Sequence, residues 1–170
     1  MYEKSWRDYL YLTNENLQQH CLIETFRVPG PGGQKKNVTN SAVRIKLKNN
    51  KQIEAIASES RSQHQNKLKA IARLRQVIAL NLRSSVSSSD LDELQNNNYL
   101  IINPKNTNFA ITTAILFDLL TTKAWDHQRL AKDLNIGINP LIRTLKKDRT
   151  VWRALTEEKT KTNLRHPRNS

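Results

Sequence analysis

Cysteine is almost absent from this sequence: Cys21 stands alone, so no disulfide can close within the chain, and the usage fits a reducing compartment. Acidic residues are also short, 15 Asp and Glu against 28 Lys and Arg, for a formal net charge of +13. Long hydrophobic runs are missing: the most apolar stretch, residues 109–120, is too short to span a bilayer and contains Asp118. Residues 1–12 carry Asp and Glu among their aromatics and lack the apolar core of a secretory signal. The four histidines, His20, His64, His127 and His166, do not fall at metal-ligand spacing. These shortages point to a cytoplasmic monomer with no membrane partner, no metal and no cofactor. A hydrophobic fraction of 37% with 25% charged residues favours two small cores over one large one.

The positive charge is not spread evenly. Residues 1–82 hold 14 Lys/Arg against 6 Asp/Glu, a net of +8; residues 83–142 hold 5 against 6, a net of −1; residues 143–170 hold 9 against 3, a net of +6. Two basic ends around a neutral middle imply two contacts with a polyanion, RNA or DNA first and an anionic membrane second. A solvated basic surface is the plainer alternative.

Thr13 is placed to cap a short helix beginning at Asn14. Cys21-Leu22-Ile23-Glu24-Thr25-Phe26 has the β-branched and aromatic content of a strand. Ala42-Val43-Arg44-Ile45-Lys46-Leu47 alternates apolar with basic, and Gln52-Ile53-Glu54-Ala55-Ile56-Ala57 alternates again, so Asn49-Asn50 between them predicts a tight hairpin with positive φ. From residue 63 to 82 the spacing of Leu68, Ile71, Leu74, Val77 and Ile78 predicts a long helix. Residues 83–108, Ser- and Asn-rich, read as a linker. Helices are predicted over 109–122, 127–134 and 139–147, with Ala131, Leu134, Ile136, Leu141 and Leu145 spaced as a helix-turn-helix core whose bend falls on Asn135 or Gly137. The fold class is thus α+β: a small domain of short sheet plus one long helix over 1–82, then an all-α helix-turn-helix-like unit with a basic tail over 109–170.

Glycine is scarce, and three of the four glycines, Gly30, Gly32 and Gly33, fall within four residues, flanked by Pro29 and Pro31. Such clustering means unusual dihedrals or close approach by another molecule, and the prolines limit the freedom that glycine brings. The polar and basic Gln34-Lys35-Lys36-Asn37 that follows suits an RNA-contacting loop better than a mobile turn. The run Glu24-Thr25-Phe26-Arg27-Val28-Pro29-Gly30-Pro31-Gly32-Gly33-Gln34 resembles the catalytic GGQ loop of class I peptide-chain release factors and their ribosome-rescue relatives. Asn37-Val38-Thr39-Asn40-Ser41-Ala42-Val43-Arg44 resembles the strand after that loop, and Glu59-Ser60-Arg61-Ser62-Gln63-His64-Gln65-Asn66-Lys67 the start of its long helix. The three blocks stand in the family's order over roughly residues 13–82. Departures are Lys35-Lys36-Asn37 where the family commonly has His-Val-Asn, a hairpin without its Thr-His-x-Pro-Thr-Gly segment, and Ser60 interrupting Glu-Arg-Ser-Gln. Only some 20 residues precede Cys21, so the stop-codon-reading domain of full-length members is not expected, and the resemblance is to the short, codon-independent rescue type.

That resemblance implies hydrolysis of the peptidyl-tRNA ester on the ribosome, with Gly32, Gly33 and Gln34 as the catalytic residues and rRNA and the tRNA CCA end as partners. It implies that the Gln34 backbone N–H donates to the developing oxyanion or leaving oxygen while its side chain positions water. A methyltransferase acting on Gln34 is a candidate partner. Arg27, Lys35, Lys36, Asn37 and Arg44 are the candidate RNA contacts around the loop. Arg61 and Lys67 are candidates at the long helix, with Gln63 and Asn66 beside them as structural or RNA-positioning residues, and Lys159, Lys161, Arg165 and Arg168 in the tail. Two other readings remain: a helix-turn-helix regulator that binds nucleic acid, and a ribosome-binding factor without turnover.

Overall fold

The computed structural model describes residues 4–27, 41–96 and 102–165. The chain divides into two compact units, Arg7–Asn81 and a second made of Met1–Trp6 with Leu82–Ser170.

In the first unit, helices α1 (Arg7–Leu10) and α2 (Asn14–Gln19) precede strands β1 (Cys21–Phe26), β2 (Ala42–Leu47) and β3 (Glu54–Ala57), and helix α3 (Gln63–Asn81) closes it. The three strands form an antiparallel sheet in the order β1-β2-β3. Thr13 caps α2 as expected, its side chain accepting from the Asn16 amide at 3.2 Å. Alternation in β2 buries Val43, Ile45 and Leu47 while Arg44 and Lys46 stand on the other face. The register pairs Ile45 with Ala55, and β2 and β3 pack against α3, while Ile23, opposite Ile45 on β1, is 38% exposed.

Two expectations change here. The β2–β3 connection is not a tight Asn-Asn turn: β3 begins at Glu54, and neither Asn49 nor Asn50 has positive φ. Instead the Asn50 side chain accepts the Gln52 amide at 3.2 Å and its carbonyl accepts the Ile53 amide at 3.0 Å, a local side-chain turn that replaces the left-handed backbone. Leu68, expected in the core, is 48% exposed. The buried stripe of α3 runs instead through Asn66, Ala70, Ile71, Leu74, Arg75, Ile78 and Ala79, because small alanines let the helix lie close on the sheet. Arg75 within it donates to Leu10 O at 2.9 Å, Leu12 O at 2.6 Å and Asn14 Oδ1, tying the amino-terminal helices to α3.

The second unit holds α4 (Ser88–Asn96), α5 (Phe109–Thr122), α6 (His127–Asp133), α7 (Ile138–Leu145) and α8 (Arg149–Arg165). Part of the stretch read as a linker is therefore helical. Its signal is a capping pair in which Asp90 accepts the Ser87 amide at 2.8 Å, and Leu94 is fully buried. Helix α5 is buried along nearly its whole length. Between α6 and α7, Asn135 takes the positive φ of 53° and Gly137 the extended amino-terminal cap. Trp6, read as part of the first domain, is fully buried in this unit, with Nε1 donating to Asp118 Oδ2 at 2.5 Å. Among the described residues no helix is long and apolar enough to cross a membrane.

Candidate functional site

The last pair of the β1–β2 ladder, Phe26 with Ala42, fixes where the glycine-rich segment leaves and rejoins the sheet. Gly32, Gly33, Gln34, Lys35, Lys36 and Asn37 themselves lie outside the described residues. What is described is the frame that holds their ends.

Asn66 is the centre of that frame. It is fully buried, and its side-chain amide Nδ2 donates to Ser41 O at 2.6 Å and to Ser60 O at 2.8 Å, while Oδ1 accepts the Ser60 amide at 2.9 Å. One side chain on the first turn of α3 thus clasps the chain where it re-enters β2 and where it approaches the helix. Ser62 caps α3, its carbonyl accepting the Asn66 amide at 3.0 Å and its hydroxyl the Gln65 amide at 3.3 Å. Ser60 is absorbed into this cap: its Oγ donates to Gln65 Oε1 at 2.6 Å and accepts the Ser62 amide at 3.1 Å.

The basic candidates of this unit fall into two places. Arg27, exposed, follows β1, and Arg44 lies on the face of β2 opposite α3. Arg44 stands between Glu24 at 3.7 Å and Glu54 at 3.8 Å, with its guanidinium 5.2 Å from the Phe26 ring centroid and a buried Nε that has no hydrogen-bond partner. A phosphate reaching Arg44 competes with two carboxylates. Glu24 is held below its ordinary range, first by the hydrogen bond from Lys46 (2.7 Å) and then by the charges of Lys46 and Arg44. Arg61, exposed, and Lys67, half-buried, sit at the start of α3 beside the Asn66 clasp.

The other candidates belong to the second unit. Lys159 and Lys161 are exposed on α8, and Lys161 donates to Glu158 Oε1 at 2.6 Å. Arg165 is the last residue of α8, its side chain outside the described part, and Arg168 lies beyond the described residues. The expected basic tail is thus helical as far as residue 165. Among the described residues no group of three His, Cys, Asp or Glu side chains is placed to hold a metal. The sequence marks Asn66 as a structural or RNA-positioning residue and does not show its clasp, because a polar side chain at a helix start does not reveal a partner 25 residues away.

Comparison with known proteins covers the same segment. A family model described as the RF-1 domain matches residues 14–108. Peptide chain release factor 1 of Salinibacter ruber is 49% identical over 53 residues, 31% of this chain and 15% of that protein. The mitochondrial peptide chain release factor 1 of Arabidopsis thaliana is 41% identical over 87 residues, 49% of this chain and 20% of that protein. The match thus spans a fifth or less of the length of these relatives. No solved structure matches the chain.

Proposed function

The chain belongs to the release-factor family defined by the RF-1 domain, and on that premise we propose that it hydrolyses the ester bond of peptidyl-tRNA in the peptidyl-transferase centre of the ribosome. The observation that carries this reading is the family match over residues 14–108, which includes Gly32-Gly33-Gln34 and the Asn66 clasp on Ser41. In this reading Gly32 and Gly33, without side chains, let the loop enter a narrow RNA site. The Gln34 backbone N–H then donates to the oxyanion as it forms, a placement worth about a hundred- to a thousandfold in rate. The Gln34 side chain positions water and excludes bulkier nucleophiles, and it is the atom group a methyltransferase would modify. Arg27, Lys35, Lys36, Asn37, Arg44, Arg61 and Lys67 contact rRNA, mostly at phosphates. Most of the active site belongs to the ribosome, so the isolated protein is a poor esterase.

The finer reading is codon-independent rescue of stalled ribosomes. In it, α6 and α7 form a helix-turn-helix-like support that carries α8, and Lys159, Lys161, Arg165 and Arg168 supply a second, sequence-independent contact with RNA. The test is single-turnover peptide release from ribosomes bearing peptidyl-tRNA, with a stop codon, a sense codon or no mRNA in the A site. Release in all three states supports rescue. Dependence on a stop codon returns the protein to codon-directed termination, and no release in any state removes the catalytic reading.

A further inference from the structure

Within the helical unit a cavity of about 440 Å³ opens where the α5–α6 connection meets α7 and α8. That size falls in the range of about 300–1,000 Å³ usual for small-molecule sites. Its walls include the indoles of Trp125 and Trp152, the apolar Ile138 and Ile142, the His127 ring and the Lys159 side chain.

Three features distinguish it from a packing gap. Trp125 is nearly buried, edge-on to Phe117 with ring centroids 5.4 Å apart, and is held by two consecutive non-glycine residues in the left-handed region, Ala124 at φ 50° and Trp125 at φ 62°. Strained backbone of this kind collects where a ligand or a switch needs a side chain aimed in one direction. His127 is only 7% exposed, yet its Nε2 has no hydrogen-bond partner, and buried polar atoms rarely remain so. Burial, and secondarily the charge of Lys159, holds the imidazole below its ordinary range, which favours the uncharged ring. The third feature is cationic. Lys159 is on the wall, and Lys146 Nζ lies 4.8 Å from the centroid of the Trp152 ring. The one carboxylate of the wall, Asp126, is engaged in capping α6, with Oδ1 accepting the Gln128 and Arg129 amides at 2.9 and 3.2 Å.

We propose that this cavity binds a single unstacked nucleotide, its base against the Trp152 indole and its phosphate on Lys159. A purely apolar ligand leaves Lys159 unmatched, and a bare anion leaves the Trp152 indole unmatched. A nucleotide answers both, because every base has a flat face that stacks on an aromatic ring whatever its identity.

The full-length protein is titrated with AMP, adenosine, ribose 5-phosphate and a single-stranded adenosine hexamer, following the His127 ring resonances by NMR and affinity by calorimetry. AMP and the hexamer shift the His127 resonances and compete with each other, and ribose 5-phosphate does neither. Trp152→Ala weakens AMP binding by about tenfold or more, the usual consequence of losing a stacking ring. Lys159→Gln weakens AMP but not adenosine. A hexamer that binds about tenfold or more tightly than AMP identifies an RNA strand as the source of the nucleotide, and equal affinity identifies a free nucleotide. Absence of a His127 shift with AMP overturns the proposal, as does equal competition by ribose 5-phosphate or wild-type AMP affinity in Trp152→Ala. Should Trp152→Ala fail to fold by circular dichroism, the wild-type His127 shift decides alone.

Discussion

The side-chain amide of Asn66, on the first turn of α3, donates to the backbone carbonyl of Ser41 at 2.6 Å, one residue before β2 begins. Its other hydrogen and its oxygen are both taken by Ser60, so a single fully buried side chain joins three backbone groups from two segments. The strand-to-helix geometry on which the glycine-rich segment is mounted depends on that junction. Asn66→Ala leaves Ser41 O and both Ser60 groups without partners and lowers stability by about 1–3 kcal/mol. Urea unfolding gives the stability change, and peptide release measured below the transition falls more than ribosome binding does. An unchanged midpoint would remove Asn66 from this role.

Gly33→Ala abolishes peptide release, because a Cβ restricts the backbone and intrudes where the loop must approach RNA closely. Gln34→Ala lowers release and leaves ribosome binding nearly intact. Single-turnover release beside ribosome pelleting checks both variants. Wild-type turnover by Gly33→Ala sinks the proposed mechanism.

Cys21 resists alkylation in the folded protein. Burial pushes its thiol up to about 11, and Sγ donates to Leu17 O at 3.2 Å. An ordinary thiol is half ionised near about pH 8.5, so at that pH the folded protein presents very little thiolate. The folded state holds this proton more tightly than the unfolded state does. Its contribution is therefore fully present below the unfolded pKa and is lost as pH rises through about 11. Iodoacetamide labelling followed by mass spectrometry at pH 8 proceeds at the rate of global unfolding. Labelling as fast as that of a free thiol contradicts the burial.

Asp118→Ala destabilises the helical unit by about 3–5 kcal/mol, the usual cost of breaking a buried pair from one side. The carboxylate accepts from Trp6 Nε1 at 2.5 Å, the Ser84 amide at 3.2 Å and Arg83 Nη1 at 3.2 Å. Removing it takes this acceptor from a buried indole N–H and this counter-charge from an arginine already held below its ordinary range by burial. Burial also raises the Asp118 carboxyl above its ordinary range, against the pull of Trp6 and Arg83. The loss is expected at neutral pH, where Trp6, Ser84 and Arg83 all lose this acceptor. Thermal unfolding at neutral pH, followed by tryptophan fluorescence, measures it, and an unchanged transition would falsify this role of Asp118.

Local pattern carried much of this protein. Thr13 before Asn14, the alternation of Val43, Ile45 and Leu47, and the apolar run of α5 each describe an interaction between near neighbours, and periodicity in a single chain reports such interactions directly. The Gly32-Gly33-Gln34 run and the blocks around it were equally legible, because they are a matter of residue order. What depends on distant partners was not. Trp6 belongs to the helical unit through a bond to a residue 112 positions away, and Asn66 is buried because Ser41 and Ser60 converge on it. Leu68 is exposed because the close approach of α3 to the sheet selected a stripe through Ala70 and Ala79. Trp125, Trp152, His127 and Lys159 read along the chain as scattered residues, and only the packing of three helices and the α5–α6 connection gathers them around one cavity. Sequence alone determined the three strands and most of the helices, though not α1, α4 or α8, and it singled out the glycine-rich loop as the candidate for the chemistry. Tertiary structure decided which polar groups are buried and paired, because desolvation and hydrogen bonding depend on what converges in space rather than on what is adjacent in the chain.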